Sequence, residues 1–120
     1  MKTFRDLIVW QKAMSFVTEI YSLTRSFPHE EQFGLSSQIR RSAVSVPSNI
    51  AEGYGRRSTQ DYIRFLRIAI SSLFEVQTHL EISRNLCYLE DNQYFRMYDK
   101  SREIERMLSS LINKLSEKST

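Results

Sequence analysis

Ser58-Thr59-Gln60-Asp61-Tyr62-Ile63-Arg64-Phe65-Leu66-Arg67-Ile68-Ala69-Ile70-Ser71-Ser72-Leu73 opens in the form of a capping box and continues as an apolar stripe at helical spacing. Ser58 offers the N-cap oxygen and Asp61 reaches back. Tyr62, Phe65, Leu66, Ala69, Leu73, Val76 and Leu80 then share one face. The spacing predicts a helix that ends near residues 85–88. Upstream, Leu35, Ile39, Val46 and Ile50 mark a second helix. It is entered at Pro28, with Glu30 and Glu31 meeting the positive dipole end, and is stopped by Gly53 and Gly55. Pro47 removes one hydrogen bond and crowds the carbonyl of Ala43, which predicts a kink or a break near residues 43–47. Before this segment, Leu7, Trp10, Met14, Val17 and Tyr21, widened by Ala13 and Ile20, predict a first helix capped by Asp6 and ended by Phe27-Pro28. After the third helix, Glu90 and Asp91 lead a fourth stripe of Met97, Ile104, Leu108, Leu111 and Leu115. Breaks this short force neighbours to run antiparallel. The expected fold is all-α, an antiparallel up-down-up-down four-helix bundle forming one domain over residues 1–120.

Composition agrees with that reading. The chain has 120 residues, 41% hydrophobic and 26% charged, with three Gly and two Pro, too few turn formers for a many-stranded β protein. It has no apolar signal region and no run of about 18 apolar residues, so a soluble, cytoplasmic protein without a membrane partner is expected. The single cysteine, Cys87, can close no intrachain disulfide and build no thiolate cluster, and it reads as a small buried hydrophobe.

The distribution of charge says more than its sum of 17 basic and 14 acidic residues. Between residues 36 and 70 lie Arg40, Arg41, Arg56, Arg57, Arg64 and Arg67 against only Glu52 and Asp61, while the remainder of the chain is slightly acidic. Taken singly, each arginine is a solvated helix face. Together they point to an anionic partner, because the planar guanidinium fork suits phosphate. The loop Gly53-Tyr54-Gly55-Arg56-Arg57-Ser58 sets two of them at a helix start, where free N–H groups already favour an anion. A helix end followed by a tight turn also accounts for its two glycines, and without Gly-x-x-x-x-Gly-Lys it is not a P-loop. Tyr54 is the aromatic placed to stack on a base, the others lying on core stripes. These six arginines and Tyr54 form the candidate nucleic-acid surface. Ser37, Arg41, Ser45, Ser48 and Glu52 fall together opposite the core stripe of the second helix and, with Asn49, form a candidate subunit contact. Plain solvent exposure of that face is equally open.

Enzymatic chemistry has no support. A di-metal bundle site needs Glu-x-x-His on two helices, and neither His29 nor His79 supplies one; Glu75 and His79 stand four apart with no second such pair. Gly-x-Ser-x-Gly and His-Glu-x-x-His are absent, and Cys87 has no histidine nearby in sequence. No metal, cofactor or catalytic residue is expected, and His79 reads as a polar-face residue.

Phe4-Arg5-Asp6-Leu7-Ile8-Val9-Trp10-Gln11-Lys12-Ala13, Phe27-Pro28, Glu31, Gly34-Leu35, Gln38-Ile39-Arg40-Arg41 and above all Ser45-Val46-Pro47-Ser48-Asn49-Ile50-Ala51-Glu52-Gly53 resemble the bacterial four-helix-bundle family found in intervening sequences of large-subunit ribosomal RNA genes. Phe65-Leu66-Arg67-Ile68-Ala69 and Ser71-Ser72-Leu73-Phe74-Glu75 match as well, so the likeness spans roughly residues 4–112. The resemblance implies a homopentameric barrel without known catalysis. More distantly it implies kinship with the accessory variability determinant of diversity-generating retroelements, which binds nucleic acid and a reverse transcriptase. The expected function is a non-enzymatic homo-oligomer, a pentamer by resemblance, binding RNA or DNA and structured RNA first, with a protein partner such as a reverse transcriptase by analogy alone. The alternative is an oligomeric protein-interaction scaffold whose arginines make salt bridges between subunits.

Overall fold

Each of the four apolar stripes becomes a helix in the computed structural model, which describes residues 1–118. The helices are α1 (Ile8–Thr24), α2 (Leu35–Tyr54), α3 (Thr59–Asn85) and α4 (Asp91–Lys118), with short 3-10 turns at Phe4–Asp6 and His29–Glu31. Side-chain bonds fix their register. Arg40 Nε donates to Thr24 Oγ1 between α2 and α1, the Ser45 and Ser72 hydroxyls meet at 2.8 Å between α2 and α3, and Gln77 Nε2 donates to Ser101 Oγ between α3 and α4. Lys12 and Glu103 close the circuit between α1 and α4. Every neighbouring pair is therefore antiparallel, as expected, in a rod of 48 × 22 × 20 Å. Phe16, Ile20, Ile39, Leu66, Leu73 and Leu108 are among the fully buried side chains of its one core. Among the described residues no helix is long and apolar enough to cross a membrane.

Local physics differs from the sequence reading at several points. Helix α1 is turned by about one residue: Val9, Ala13, Phe16, Ile20 and Thr24 face the core, while Met14 and Tyr21 stand in solvent and Trp10 and Val17 lie at the flank. Apolar side chains cover more than half of this helix, so two faces compete, and the one carrying Phe16 and Ile20 wins. Asp6 does not cap α1. It closes a capping box on Thr3 in the preceding turn, accepting from Lys2 N–H at 2.7 Å and Thr3 N–H at 3.1 Å, and these bonds hold its carboxyl below the usual carboxylate range. The segment after Pro28 is not helix throughout.

 Pro28 leads into the 3-10 turn, and α2 starts only at Leu35, whose N–H is taken by Glu31 Oε1 at 3.1 Å. The break near Pro47 is not made either, since α2 runs continuously past it with Pro47 itself buried. Ser58 caps α3 as expected, accepting from Asp61 N–H at 3.1 Å, whereas the Asp61 carboxylate lies beside Arg64.

Two small residues behave differently from their sequence reading. Gly53 does not stop α2. It lies buried within the helix, and a Cβ there would sit 2.8 Å from Phe65 Cβ and 3.0 Å from Tyr62 Cδ1, so α2 and α3 cross where only hydrogen fits between them. Cys87 is exposed, not buried, and has φ 63°. It occupies the left-handed position of a Schellman turn closing α3, in which Cys87 N–H donates to Arg84 O and Tyr88 N–H to Ser83 O, both at 2.9 Å.

Gly53→Ala gains about 1 kcal/mol of helix propensity but overpacks the crossing by about 1–3 kcal/mol, and a contact this short falls at the upper end. A net loss of about 1–2 kcal/mol is expected in urea unfolding. Cys87→Gly removes a left-handed penalty of about 1–2 kcal/mol and adds about 0.4–1 kcal/mol of unfolded-chain entropy. Its unfolding midpoint should rise, with a net gain of about 0.5–1 kcal/mol.

Candidate nucleic-acid interface

The antiparallel circuit sets the start of α1, the α2–α3 turn and the end of α4 at one end of the rod. Seven cations meet there: Lys2 and Arg5 before α1, Arg56, Arg57 and Arg64 around the turn, and Lys114 and Lys118 in the last turns of α4. Asp6, Glu52, Asp61 and Glu117 are the acids of the same end, and Arg67 stands one turn further along α3. At the opposite end the balance reverses, with Glu30, Glu31, Glu81, Glu90 and Asp91 against Arg25 and Arg84. The molecule is polarised along its length.

Packing gives the basic end its shape. Arg56 and Arg64 both lie over the Phe65 ring, 4.6 and 4.7 Å from its centroid, so one aromatic surface orients two guanidinium groups. Their acids are loosely held: Arg56 is 3.8 Å from Glu52 and Arg64 is 3.6 Å from Asp61, all four side chains being solvent-exposed. Such pairs contribute about 0–1 kcal/mol and yield readily to a phosphate. Arg57 and Arg67 are exposed and make no ion pair among the described residues. Tyr54 is half-buried and meets Tyr62 edge-on with centroids 6.1 Å apart, so its ring already has a partner. Burial, with the neighbouring Tyr54, pushes the Tyr62 hydroxyl pKa up.

The other two predicted arginines lie elsewhere. Arg40 stacks on Tyr21 at 4.7 Å, donates through Nε to Thr24 Oγ1 at 2.8 Å and reaches the Tyr21 carbonyl, fastening α2 to α1. Arg41 is exposed at mid-length, about 22 Å from Arg56 along the helix. It edges a groove of about 360 Å³ between α2 and α3, shared with Ser42, Ser45, Ser72, Glu75 and His79.

That groove also places the predicted subunit face. Ser45 bonds to Ser72, and Asn49 Nδ2 donates to both the carbonyl and the hydroxyl of Ser45 at 2.8 and 2.9 Å, so these two side chains are occupied within the chain. Ser37 is half-buried, while Arg41, Ser48 and Glu52 remain exposed. Lys2, Arg5, Lys114 and Lys118 escaped the reading of residues 36–70. The expected topology carried the missing signal, because an up-down-up-down chain returns its first and last helix ends to the α2–α3 turn. Among the described residues, no group of three His, Cys, Asp or Glu side chains gathers to hold a metal ion.

A family model described as 23S rRNA-intervening sequence protein matches residues 5–110. The 1.70 Å crystal structure of a protein of unknown function from the S23 ribosomal protein family of Bacteroides thetaiotaomicron VPI-5482 is similar, with 30% identity and a TM-score of 0.79. That likeness covers 88% of this chain and 98% of the other. No curated protein matches the sequence.

His79 Nδ1 is buried at the groove without a hydrogen-bond partner. Burial lowers its pKa from 6.5, and Glu75 one turn earlier opposes the shift only in part. The folded chain thus binds fewer protons here than the unfolded one, so stability is lost as pH falls below 6.5 toward the folded pKa. Urea midpoints measured between pH 7.5 and 5 should fall more steeply for the wild type than for His79→Gln.

Proposed function

The chain belongs to the 23S rRNA-intervening sequence protein family, and from that membership and its polarised charge we propose a non-enzymatic, homo-oligomeric nucleic-acid-binding protein of the cytoplasm. Its ligand on this reading is structured RNA, the polymer in the family's description. Its subunit number is the five that the sequence resemblance implies. The observation that carries the reading is the basic end. Arg56, Arg57, Arg64 and Arg67 ride on one tight helical hairpin and are joined by lysine and arginine from both ends of the described chain. Two of the four are oriented by Phe65 and paired only loosely with acids.

Phosphates are the ligand such an array fits, since guanidinium groups bind them in a forked, charge-assisted geometry. Arg40 leaves the binding set, its hydrogen bonds being spent between α1 and α2. Arg41 stands apart from the cluster at mid-length, and Tyr54 contributes packing to the turn rather than a free stacking face. No base-reading motif is recognisable in the sequence, so on this reading backbone contacts dominate and sequence preference is weak. Several copies in one assembly multiply these contacts, and avidity strengthens each weak site.

Filter retention of a structured RNA should fall steeply with salt for the wild type. Changing Arg56, Arg57, Arg64 and Arg67 to Gln should reduce the slope of log affinity against log salt by about 3, from the loss of about four phosphate contacts. Arg41→Gln should change it by less than about 1. Helicity and assembly mass measured on the same proteins control for folding. Equal retention by the wild type and the four-arginine variant, both folded and of equal mass, overturns the reading.

A further inference from the structure

The two ends of the rod differ in shape as well as in charge. At the acidic end Phe33 is 90% exposed in the turn that leads into α2. The α3–α4 turn lies beside it, tied on by the Tyr88 hydroxyl donating to Glu31 Oε2 at 2.9 Å, and presents Leu86, 50% exposed, and Cys87. Glu30 precedes Phe33 in its turn, and Glu90 and Asp91 follow the α3–α4 turn, Asp91 paired with Arg84 at 2.9 Å. At the basic end the seam between α1 and α4 opens into an apolar groove of about 300 Å³, lined by Leu7, Ile8, Val9, Met107, Leu111 and Lys114. Ile8 stands 57% exposed at that groove. An exposed aromatic knob at the net acidic end and an apolar groove at the end that carries Lys2, Arg5 and Lys114 are complementary in both chemistry and charge.

One chain cannot join them. The groove lies at the start of α1 and Phe33 lies beyond its end, so at least about 25 Å of helix separates the two. We propose that Phe33 of one copy seats in the Leu7–Ile8–Met107–Leu111 groove of a second copy, with Glu30, Glu90 and Asp91 facing the lysines and arginine around it. The contact uses different patches on the two copies. It therefore propagates, closing as a ring where the rotation between copies permits and otherwise extending. This inference names the surface of the self-association included in the functional reading and rests on that part of it alone.

Sedimentation velocity over a range of protein and salt concentrations tests it. Wild-type mass should exceed the 14.2 kDa of one chain and fall as salt rises. Phe33→Ser and, from the other side, Ile8→Asp should each weaken self-association by about tenfold or more. Phe33 is almost wholly in solvent in the single chain, so Phe33→Ser should keep the wild-type helicity and, at dilutions where the wild type is dissociated, the wild-type thermal midpoint, which separates a lost contact from a lost fold. Cross-linking supplies a second measurement. With Ser110→Cys placing a thiol beside the groove and native Cys87 at the opposite end, a bismaleimide should give a ladder of covalent multimers, while the wild type with Cys87 alone should give none. Unchanged mass for Phe33→Ser overturns this contact while leaving assembly through another surface in place. A wild type of single-chain mass at every concentration, or a missing ladder, also overturns it. RNA retention by Phe33→Ser reports separately on the arginine end: lost mass with RNA still held supports the contact, and lost RNA binding by the four-arginine variant at unchanged mass bears on the arginines alone.

Discussion

The approach of α2 to α3 is the constraint on which the rest of the molecule depends. Where Gly53 meets Phe65 and Tyr62 there is no room for a methyl group, and further along the same seam two serine hydroxyls bond directly at 2.8 Å. Helices brought this close need small residues at their contact, which Ser42, Ser45 and Gly53 on one side and Ala69 and Ser72 on the other provide. A buried glycine inside a helix costs about 1 kcal/mol in propensity. The close packing it permits, with Phe65 buried against it, offsets that cost. The tight crossing also explains the short connection from Gly55 to Ser58, which leaves Arg56 one ring away from Arg64. Hydroxyls that look from sequence like an outer stripe are used to bind the two helices together.

Charge polarity follows from the same topology. Antiparallel helices set their dipoles against one another, so no end of the bundle gains a net field from its backbone. The difference between the two ends comes from side chains. Screening at physiological salt acts over about 8 Å, so groups spread along a 48 Å rod act separately while those gathered on one end act together. Arg40 and Arg41 illustrate the distinction. They count toward the positive surplus of residues 36–70, yet one is spent on Tyr21 and Thr24 and the other stands apart from the basic end. The lysines near both ends of the described chain, far from that segment in sequence, lie at the same end of the rod as Arg56.

Helix type, number and order were legible in the sequence because each stripe is long and each break short. Ser58 was legible as a cap, and the large apolar residues of the buried faces of α2 and α3 were legible apart from Tyr62, whereas the small residues that complete those faces, Ser42, Ala43, Gly53 and Ser72 among them, were not. What failed had a local physical cause. The face of α1 was misjudged because periodicity cannot rank two apolar faces without their neighbours. Glu31 could not be seen as the side chain that starts α2, since its role depends on a 3-10 turn closing first. Cys87 looked buried by residue type, but the Schellman turn fixes its exposure through the backbone. Of the candidate site, the arginines near the α2–α3 turn were legible as a group. The silencing of Tyr54 and Arg40 was not, because each depends on one contact between helices.

The seams of the bundle are unequal, and that inequality separates its two surfaces. Between α2 and α3 the contacts are short and partly buried, and between α3 and α4 Gln77 donates to the buried Ser101 and to Glu105. The seam between α1 and α4 is held instead by ion pairs, Lys12 with Glu103 and Glu19 with Arg96 and Lys100, and grooves open along its length. The exposed Lys12–Glu103 pair contributes about 0–1 kcal/mol and salt weakens it further, while Glu19 is held partly buried between Arg96 and Lys100. Local opening is therefore expected first where α1 meets α4 and last at the α2–α3 crossing. Arg56, Arg57, Arg64 and Arg67 sit on this closely packed hairpin. The apolar groove sits on the yielding seam, where a side chain entering from outside has room to be accommodated. A closely packed cationic hairpin and a looser apolar groove, both at the basic end, are thus two results of one packing order, set by which helix pairs meet through small residues and which meet through charge.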